Sequence, residues 1–303
     1  MEKHPVQAKG QLKGYLSKEL GVRASVLKAT DLVESVCQLQ GTSPASSVAL
    51  GRLLCGTILV ASQLKDEQAI SFQVNGSKTI KKIFAHAQYD GLCRAYISEK
   101  QAPLSLQNNV LSLEPLIGIG IFQAITYIPK QKHPQISQIE LKSSEIGEDI
   151  AYFLNQSMQI PCIVSLAVKI GSEGKVISAG GVLIELMPGH TEETLKKLEE
   201  HQANAKSLSQ LIEDGASFEE LLKNHIGDLE MKEIKDHDVQ YGCTCSKEKA
   251  ASSLKLLEAK DFEEILQSKE TLNVDCEMCG LIYQFDSTEV NLIYKKSGKA
   301  KIH

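Results

Sequence analysis

The sequence predicts an α+β fold made of an N-terminal domain of mixed sheet and helix, a helical linker and a small cysteine-bearing C-terminal domain. Strand and helix patterns follow one another over residues 1–189 without the regular alternation of a doubly wound fold. Charged residues then increase and strand patterns disappear over residues 190–238. Four of the eight cysteines lie in two close pairs within residues 239–294, ahead of a basic tail at residues 295–303.

The N-terminal domain contains segments with alternating apolar residues, typical of strands, and segments with apolar residues at helical spacing. The predicted strands are two pieces within residues 13–28, then 70–74, 80–87, 92–97, 117–128, 163–170 and 176–187. The predicted helices are 31–39, 45–65 and 144–157. Asp31 and Glu34 have the spacing of a capping box for the first helix, and Pro44 suits the first turn of the second. This second helix carries only Arg52 as a charge before its end, which predicts a buried helix.

Three short helices are predicted in the linker, over residues 191–201, 203–214 and 218–224. Ser217 and Glu220 have the spacing of a capping box at the start of the third helix. Helices of this length are marginal alone and depend on a surface to pack against. We therefore expect a linker that is held by packing and is easily released.

The two cysteine pairs are Cys243-Thr-Cys245 and Cys276-Glu-Met-Cys279. Zn²⁺ takes four ligands in a tetrahedron, and thiolates supply them well. Close spacing within each pair lets one turn present two sulfurs, and Gly280 permits a positive φ in such a turn. The sequence therefore predicts one Zn²⁺ held by four thiolates in the reduced state, in a small C-terminal zinc-binding domain. Buried cysteine clusters or structural disulfides are the alternative.

The C-terminal domain is predicted to combine short helices with a hairpin that carries the second cysteine pair. Helices are expected over residues 246–257 and 261–267, and strands over 272–275 and 281–285. Asp286 with Glu289 has the spacing of a capping box for a short last helix. The remaining four cysteines lie in apolar surroundings and are expected to be inert core residues: Cys37, Cys55, Cys93 and Cys162.

Residues 239–294 form a segment too short, and too poor in large apolar groups, to be stable without a staple. Zinc bound to four thiolates supplies about 10–16 kcal/mol of apparent folding free energy. An oxidant that converts the thiolates to disulfides through sulfenic acid would remove the metal, unfold this domain and free the neighbouring linker. The cysteines alone leave two interpretations equally open: a redox switch of this kind and a static zinc fold.

Composition argues against several classes of protein. The net charge is -5, there is no tryptophan, and aromatic residues make up 5% of the chain, so a nucleic-acid partner is not expected. Residues 1–10 lack the apolar segment of a signal peptide. The apolar run over residues 49–62 is too short to span a bilayer. We expect a soluble cytoplasmic protein with reduced thiols and no membrane partner.

Three rival functions use the same residues. A static zinc-binding nucleic-acid or protein-interaction module explains the ligand set and the basic tail, but not the acidic net charge. A thiol–disulfide oxidoreductase would use Cys276 and Cys279, yet this pair lies between strand-like segments and not at a helix start. A hydrolytic zinc enzyme needs an open coordination position, which arises only if His237 replaces a cysteine as ligand. We prefer a surface histidine there, and we expect no enzyme activity.

Several segments match a known family. Around the cysteines they are YGCTCSKEK at residues 241–249, VDCEMCG at 274–280 and YQFD at 283–286. In the first domain they are ALGR at 49–52 with LK at 64–65, SSEIGEDIAYFLNQS at 143–157, AGGVLI at 179–184 and LMPG at 186–189. Together they resemble the redox-regulated heat-shock holdases known as 33 kDa chaperonins, over roughly residues 10–294.

The resemblance implies an ATP-independent molecular chaperone (holdase) of the cytoplasm, which binds unfolding client proteins under oxidative and heat stress. Cys243, Cys245, Cys276 and Cys279 would hold zinc in the reduced, inactive form. On oxidation the implied disulfides are Cys243–Cys245 and Cys276–Cys279, with zinc release, unfolding of the metastable linker and formation of a homodimer. The N-terminal domain would bind substrate and dimerise, and the C-terminal domain would be the redox switch.

This sequence departs from the family at two positions beside the cysteines. Gly242 and Lys247 stand where the family often has arginine, which removes arginine charge beside the thiols and would alter thiolate reactivity. The N-terminus also begins late by comparison, which leaves the length of the first strand open.

Overall fold

A buried helix and a ten-stranded sheet organise most of the chain. The computed structural model describes residues 8–107, 110–268 and 270–297. The chain divides into two compact units, and the boundary between them falls between Gly242 and Cys243. In the larger unit the strands are β1 (Lys9–Ser17), β2 (Val22–Lys28), β3 (Ala69–Gly76), β4 (Lys82–Gln88), β5 (Leu92–Ile97), β6 (Leu106–Gln107), β7 (Val110–Leu111), β8 (Gly120–Tyr127), β9 (Gln135–Glu140), β10 (Cys162–Ile170), β11 (Val176–Leu186) and β12 (Lys232–Tyr241). Its helices are α1 (Thr30–Gln40), α2 (Pro44–Ala61), α3 (Glu114–Ile117), α4 (Gly147–Met158), α5 (Glu192–Ala203), α6 (Leu208–Glu213) and α7 (Phe218–Ile226).

The predicted α+β class is confirmed by the arrangement of this sheet. Its strand order is β10-β11-β2-β1-β12-β5-β4-β3-β8-β9. Neighbouring strands run antiparallel except β12 and β5, which pair in parallel. Such a sheet is built mainly from hairpins, so it differs from the all-parallel sheets of doubly wound proteins.

Helix α2 lies at the centre of the larger unit because its sequence is apolar on nearly every side. Ser43 caps it by accepting a hydrogen bond from the backbone N–H of Ser46, and Pro44 occupies the first turn, as predicted. Among the described residues, α2 is the one helix that is long and apolar enough to cross a membrane. However, 89% of that stretch is buried inside the protein, so α2 serves as a core helix.

The capping box predicted at Asp31 and Glu34 is wrong. Helix α1 has Ala29 at its N-cap, without a side-chain hydrogen bond. The carboxylate of Glu34 instead accepts a hydrogen bond of 2.7 Å from the backbone N–H of Val176, at the start of β11. A partner distant in sequence therefore replaces the local cap.

The linker helices α5, α6 and α7 cover an apolar part of the sheet. Their buried side chains share one cluster with residues of β1, β2, β10 and β11. The helix residues of this cluster are Leu198, Leu208, Ile212, Phe218, Leu221, Leu222 and Ile226. The capping box predicted for α7 is confirmed, since Ser217 and Glu220 exchange hydrogen bonds of 2.7 and 3.1 Å between side chain and backbone.

The sequence failed to predict β12, most of which lies within residues taken as a helical linker without strands. Most side chains of β12 are polar or charged, and several pair with β1 across the sheet. Lys9 Nζ lies 2.6 Å from Asp238 Oδ2, and Lys13 Nζ lies 2.8 Å from Glu233 Oε2. Because backbone pairing and opposite charges support this strand, it lacks the apolar alternation by which strands are recognised. The predicted domain boundaries themselves stay predictions.

The C-terminal unit is much smaller and has its own core. Its elements are α8 (Lys247–Leu254), α9 (Ala259–Ser268), β13 (Leu272–Asp275), β14 (Ile282–Phe285) and α10 (Ser287–Lys296). The buried apolar side chains of this core are Leu254, Phe262, Phe285, Val290, Ile293 and Tyr294. The Phe262 and Tyr294 rings stack with their centroids 4.8 Å apart. A capping box at Asp286 and Glu289 starts α10, as predicted.

The predicted basic tail at residues 295–303 overlaps the last helix at its start. Lys295 and Lys296 form the last turn of α10, where positive side chains interact favourably with the helix dipole. Residues 298–303 lie outside the described residues.

Candidate metal centre

The first cysteine pair lies immediately before α8. Ser246 is the N-cap of this helix, and its hydroxyl accepts a hydrogen bond from the backbone N–H of Lys249 at 3.3 Å. The helix therefore begins directly after Cys245. The Cys243–Cys245 segment thus lies directly before a regular element.

The second pair lies in the turn between β13 and β14. The backbone N–H of Cys276 donates to the carbonyl of Leu281 at 2.9 Å, and the N–H of Gly280 donates to the carbonyl of Cys276 at 2.8 Å. Gly280 has a φ of 71°, a conformation that residues with a Cβ adopt at a cost. The glycine thus closes the turn that presents Cys276 and Cys279 together, as predicted.

The four sulfurs of the two pairs converge within the C-terminal unit. All lie within 4.8 Å of one another. The Sγ atoms of Cys243 and Cys276 are 3.6 Å apart, and those of Cys245 and Cys279 are 3.4 Å apart. A tetrahedral site with Zn–S bonds of about 2.3 Å places its sulfurs about 3.8 Å apart. The donor set and its spacing therefore fit Zn²⁺, whereas the role of each cysteine as a ligand stays a prediction.

Tyr283 is a residue of the centre that sequence reasoning missed. Its hydroxyl, on β14, donates a hydrogen bond of 3.0 Å to the sulfur of Cys245. Tyr283 also packs against the apolar core of the C-terminal unit. It therefore connects the first cysteine pair to the hairpin that carries the second pair. The YQFD segment marked this tyrosine as part of the resemblance, but spacing alone does not reveal a contact between distant segments.

The thiols differ in how readily they lose a proton. Burial raises the pKa of Cys243 to about 11 and also raises the pKa of Cys279. At Cys245 burial acts in the same direction, but hydrogen bonds from Tyr283 and the neighbouring thiols outweigh it and lower its pKa. The thiolate is the form that attacks oxidants and binds metals. Of these three thiols, Cys245 thus loses its proton most readily.

The two lysines near the first cysteine pair, Lys247 and Lys249, contact oxygen atoms. Lys247 Nζ lies 2.6 Å from Glu289 Oε1, and Lys249 donates to the carbonyl oxygen of Thr244. The ammonium group of Lys247 is thus neutralised by a carboxylate and has no sulfur as its hydrogen-bond partner. The expected effect of Gly242 and Lys247 on thiolate reactivity stays a prediction.

The sulfur positions do not select a disulfide pairing. The two shortest distances join Cys243 to Cys276 and Cys245 to Cys279, across the two turns. This is the arrangement expected of sulfurs grouped around a common centre, where every pair is at a similar distance. His237 does not belong to this group, because it lies on β12, in the larger unit. The implied pairs Cys243–Cys245 and Cys276–Cys279 stay predictions.

The remaining cysteines lie in the larger unit and have no place in this centre. Three are buried and one is half-buried. Burial raises the pKa of Cys37 to about 11 and that of Cys93 and Cys162 to about 12, and it raises the pKa of Cys55 further. Thiols of this kind are protonated and unreactive at neutral pH. This agrees with their predicted role as core residues.

Comparisons with known proteins agree with one another. The chain matches the model of the family described as Hsp33 protein over residues 10–286. It is 35% identical over 264 residues to the 33 kDa chaperonin of Desulfotalea psychrophila, covering 87% of this chain and 90% of the relative. It is 31% identical over 290 residues to the 33 kDa chaperonin of Bacillus mycoides, covering 94% of this chain and 100% of the relative.

A solved structure gives the same result for the fold. The crystal structure of the 33 kDa chaperonin (heat shock protein 33 homolog) from Thermotoga maritima, at 2.20 Å resolution, superposes with a TM-score of 0.85. The sequences are 25% identical, and the match covers 97% of this chain and 100% of that one. Because the family match and the relatives extend over nearly the whole chain, this protein belongs to the Hsp33 family of 33 kDa chaperonins.

Proposed function

We propose that this chaperone is a redox-regulated, ATP-independent holdase, which binds unfolding proteins under oxidative and heat stress. Disulfide formation and loss of zinc switch it on. The observation that carries this proposal is the group of four sulfurs within 4.8 Å, placed in a small unit whose apolar cluster has six buried side chains among the described residues. Family membership supports the chaperone activity, and the sulfur group supports its regulation.

In the reduced protein, thiolates of Cys243, Cys245, Cys276 and Cys279 hold one Zn²⁺. A two-stranded hairpin with a few short helices is marginal in water. Zinc bound to thiolates contributes about 10–16 kcal/mol of apparent folding free energy to a small domain. The fold of the C-terminal unit therefore depends on the four sulfurs remaining reduced.

Hydrogen peroxide oxidises each pair in two steps. A thiolate sulfur first attacks one peroxide oxygen, the O–O bond breaks, and a sulfenic acid and one water form once a proton is taken up. The second thiol of the pair then attacks the sulfenic sulfur, so that a disulfide forms and a second water leaves. Each pair thus gives two electrons to one peroxide. As the resemblance implies, we assign the pairs as Cys243–Cys245 and Cys276–Cys279.

Unfolding that begins at the oxidised cysteines spreads to the linker. Disulfide sulfurs no longer act as thiolate ligands, so the oxidised pairs release the metal and the C-terminal unit unfolds. Cys243 follows β12 almost directly, and β12 follows α7. We propose that unfolding of the C-terminal unit loosens β12, the strand that holds the C-terminal side of the linker helices. We propose that α5, α6 and α7 then detach from the sheet.

Detachment of the linker exposes apolar surface. Val22, Ala24, Val182 and Ile184 of β2 and β11 are at most 1% exposed in the folded chain. They belong to the cluster that the linker helices cover. A contiguous apolar patch of this kind binds other unfolded chains. Burial of client side chains supplies the binding free energy, so the activity requires neither ATP nor catalysis.

These roles assign the parts of the chain. Residues 1–189 carry client binding and dimerisation, residues 190–238 form the metastable linker, and residues 239–294 form the redox switch. Two oxidised copies form the active homodimer. We place the protein in the cytoplasm, where thiols stay reduced until an oxidant arrives, with unfolded proteins as partners and neither nucleic acid nor membrane.

Light scattering of an aggregating client protein tests this function. One sample receives the chain reduced and zinc-loaded, and a second receives it after peroxide treatment at raised temperature. We expect only the oxidised sample to suppress aggregation, with about one zinc released per chain. Equal behaviour of the two samples, with zinc retained, would show that the site is static and would contradict the proposal. A Cys162→Ser variant is the control, because it keeps all four switch cysteines and should respond as the wild type does.

A further inference from the structure

A cavity of about 360 Å³ lies where the linker helices meet the rest of the larger unit. It is bordered by residues from α2, β10, the start of α4 and the linker helices. The polar side chains that matter for its chemistry are Arg52, Glu145, Ser165, Gln202, Lys206 and His225. His225, a titratable residue of the linker helix α7, therefore borders the space between the linker and the rest of the larger unit.

His225 is held on α7 in a buried and incompletely satisfied position. Its residue is 2% exposed, and its Nδ1 lies 2.8 Å from Oε1 of Gln202 on α5. The amide nitrogen of Gln202 faces Ser165 Oγ at 3.4 Å, so its Oε1 is the atom that accepts from His225. The imidazole therefore carries its proton on Nδ1. Its Nε2 is buried and has no hydrogen-bond partner within the part of the chain that the structure describes.

Among the residues that the structure describes, no carboxylate is paired with this ring. Glu145 forms an ion pair of 2.6 Å with Arg52, and Glu148 and Lys206 border the same cavity. On α5, His201 packs against Gly227, just beyond the end of α7. None of these groups offsets the hydration that a protonated His225 ring loses on burial. Burial therefore lowers the pKa of His225 to about 4. The docked linker therefore requires a neutral ring.

We propose that His225 is an acid-sensitive latch of the linker, whose protonation favours detachment of α5, α6 and α7 from the sheet. Acidification then promotes the same client-binding state that oxidation produces, and the two signals add. This inference rests on the proposed function, because it assumes that linker detachment exposes the client-binding surface. The pH dependence of linker docking can be measured without a client protein.

The direction of the effect follows from the two environments of the ring. In detached helices the ring meets water and titrates near its ordinary pKa of 6.5, against about 4 when docked. Above pH 6.5 both states are neutral and docking is strongest. Between pH 6.5 and 4 the detached state binds a proton that the docked state does not, so docking weakens. At pH 5 the docking equilibrium shifts by about 30-fold relative to pH 8.

Hydrogen exchange of the reduced, zinc-loaded full chain tests the latch. Protection of peptides from residues 191–226 is compared at pH 8 and pH 5, after correction for the intrinsic effect of pH on exchange, and bound zinc is measured in each sample. We expect protection to fall about 30-fold in the wild type and by less than about threefold in His225→Gln, whose side chain does not titrate. His201→Gln, which removes a largely exposed histidine from α5, should respond like the wild type.

Direct titration of the His225 ring by NMR covers the case in which His225→Gln does not dock its linker at all. A ring pKa below 5 in the reduced wild type supports the latch, and a value near 6.5 overturns it. An equal acid response of wild type and His225→Gln also overturns it, because another group must then be responsible.

The light-scattering assay separates this inference from the proposed function. If the linker loosens in acid but the acidified chain does not suppress client aggregation, the proposed client-binding surface is wrong and the latch still stands. If the oxidised chain suppresses aggregation but the protection of the linker does not depend on pH, only the latch is contradicted.

Discussion

The two units of this chain reach stability by different means. The larger unit packs a ten-stranded sheet with α2 and buries many apolar side chains. The C-terminal unit has a two-stranded sheet and six buried apolar side chains. Small domains bury a smaller fraction of their surface, so their cores supply too little free energy to fold alone. We propose that the four sulfurs compensate for this deficit by holding a metal.

The difference shows where oxidation can act. The larger unit contains cysteines too, but burial raises their pKa values and keeps them protonated. Cys245, in the smaller unit, has a lowered pKa and a tyrosine hydroxyl directed at its sulfur. Cys245, the thiol with a lowered pKa, therefore lies in the smaller unit, whose Cys243 and Cys279 have raised pKa values like the cysteines of the larger unit.

The largest effect that separates the two units is expected from Cys276→Ser. Removal of one of four thiolates should abolish tight zinc binding and leave the C-terminal unit unfolded even in the reduced protein, since the metal contributes about 10–16 kcal/mol there. Zinc content and NMR spectra of the reduced protein measure both effects. Cys162→Ser is the matched control and should keep full zinc. A Cys276→Ser variant with wild-type zinc stoichiometry would contradict the four-thiolate site.

A matched pair of core truncations sharpens the comparison. Phe262 is fully buried in the C-terminal unit, and Phe153 is 2% exposed in the larger unit. Replacing either by alanine should cost about 3–5 kcal/mol locally. We expect Phe262→Ala to weaken zinc binding while the sheet keeps its unfolding temperature, and Phe153→Ala to lower that temperature while zinc binding is kept. Calorimetry with a zinc assay measures both, and a shared response would show that the units are not independent.

The smallest of these effects is expected from Tyr283→Phe. The change removes the hydroxyl that donates to Cys245 at 3.0 Å and leaves the ring in place. Groups that hydrogen-bond to metal ligands typically change metal affinity by about 10–100-fold, so we expect a loss of that size. Competition with a chromophoric chelator measures it. Tyr152→Phe, on α4 in the larger unit, is the control, and an unchanged affinity in Tyr283→Phe would remove this residue from the centre.

The parts of the structure that were predictable are those specified by neighbouring residues. The buried helix α2 followed from its uniform apolar sequence, and the capping boxes at Ser217 and Asp286 were read correctly from residues three positions apart. Strand β13 has the bounds expected from the sequence. The two cysteine pairs were expected to converge because a tetrahedral metal needs four ligands, and the four sulfurs do lie together.

The parts that were not predictable depend on contacts between distant segments. Strand β12 forms because its charged side chains meet those of β1, more than two hundred residues earlier. Glu34 accepts a bond from β11 in place of its expected capping role. The contact between Tyr283 and Cys245 exists only once the hairpin is folded. No local pattern encodes such partners.

One measurement tests the central claim most directly. Hydrogen exchange is followed in the full chain before and after treatment with peroxide at raised temperature, while zinc release is recorded in the same sample. The account predicts that residues 243–297 lose protection as zinc is released, that the linker helices within residues 191–226 follow, and that β3, β4 and β8 remain protected. Linker helices that stay fully protected after zinc has left would contradict the proposed link between the sulfur centre and the client-binding surface.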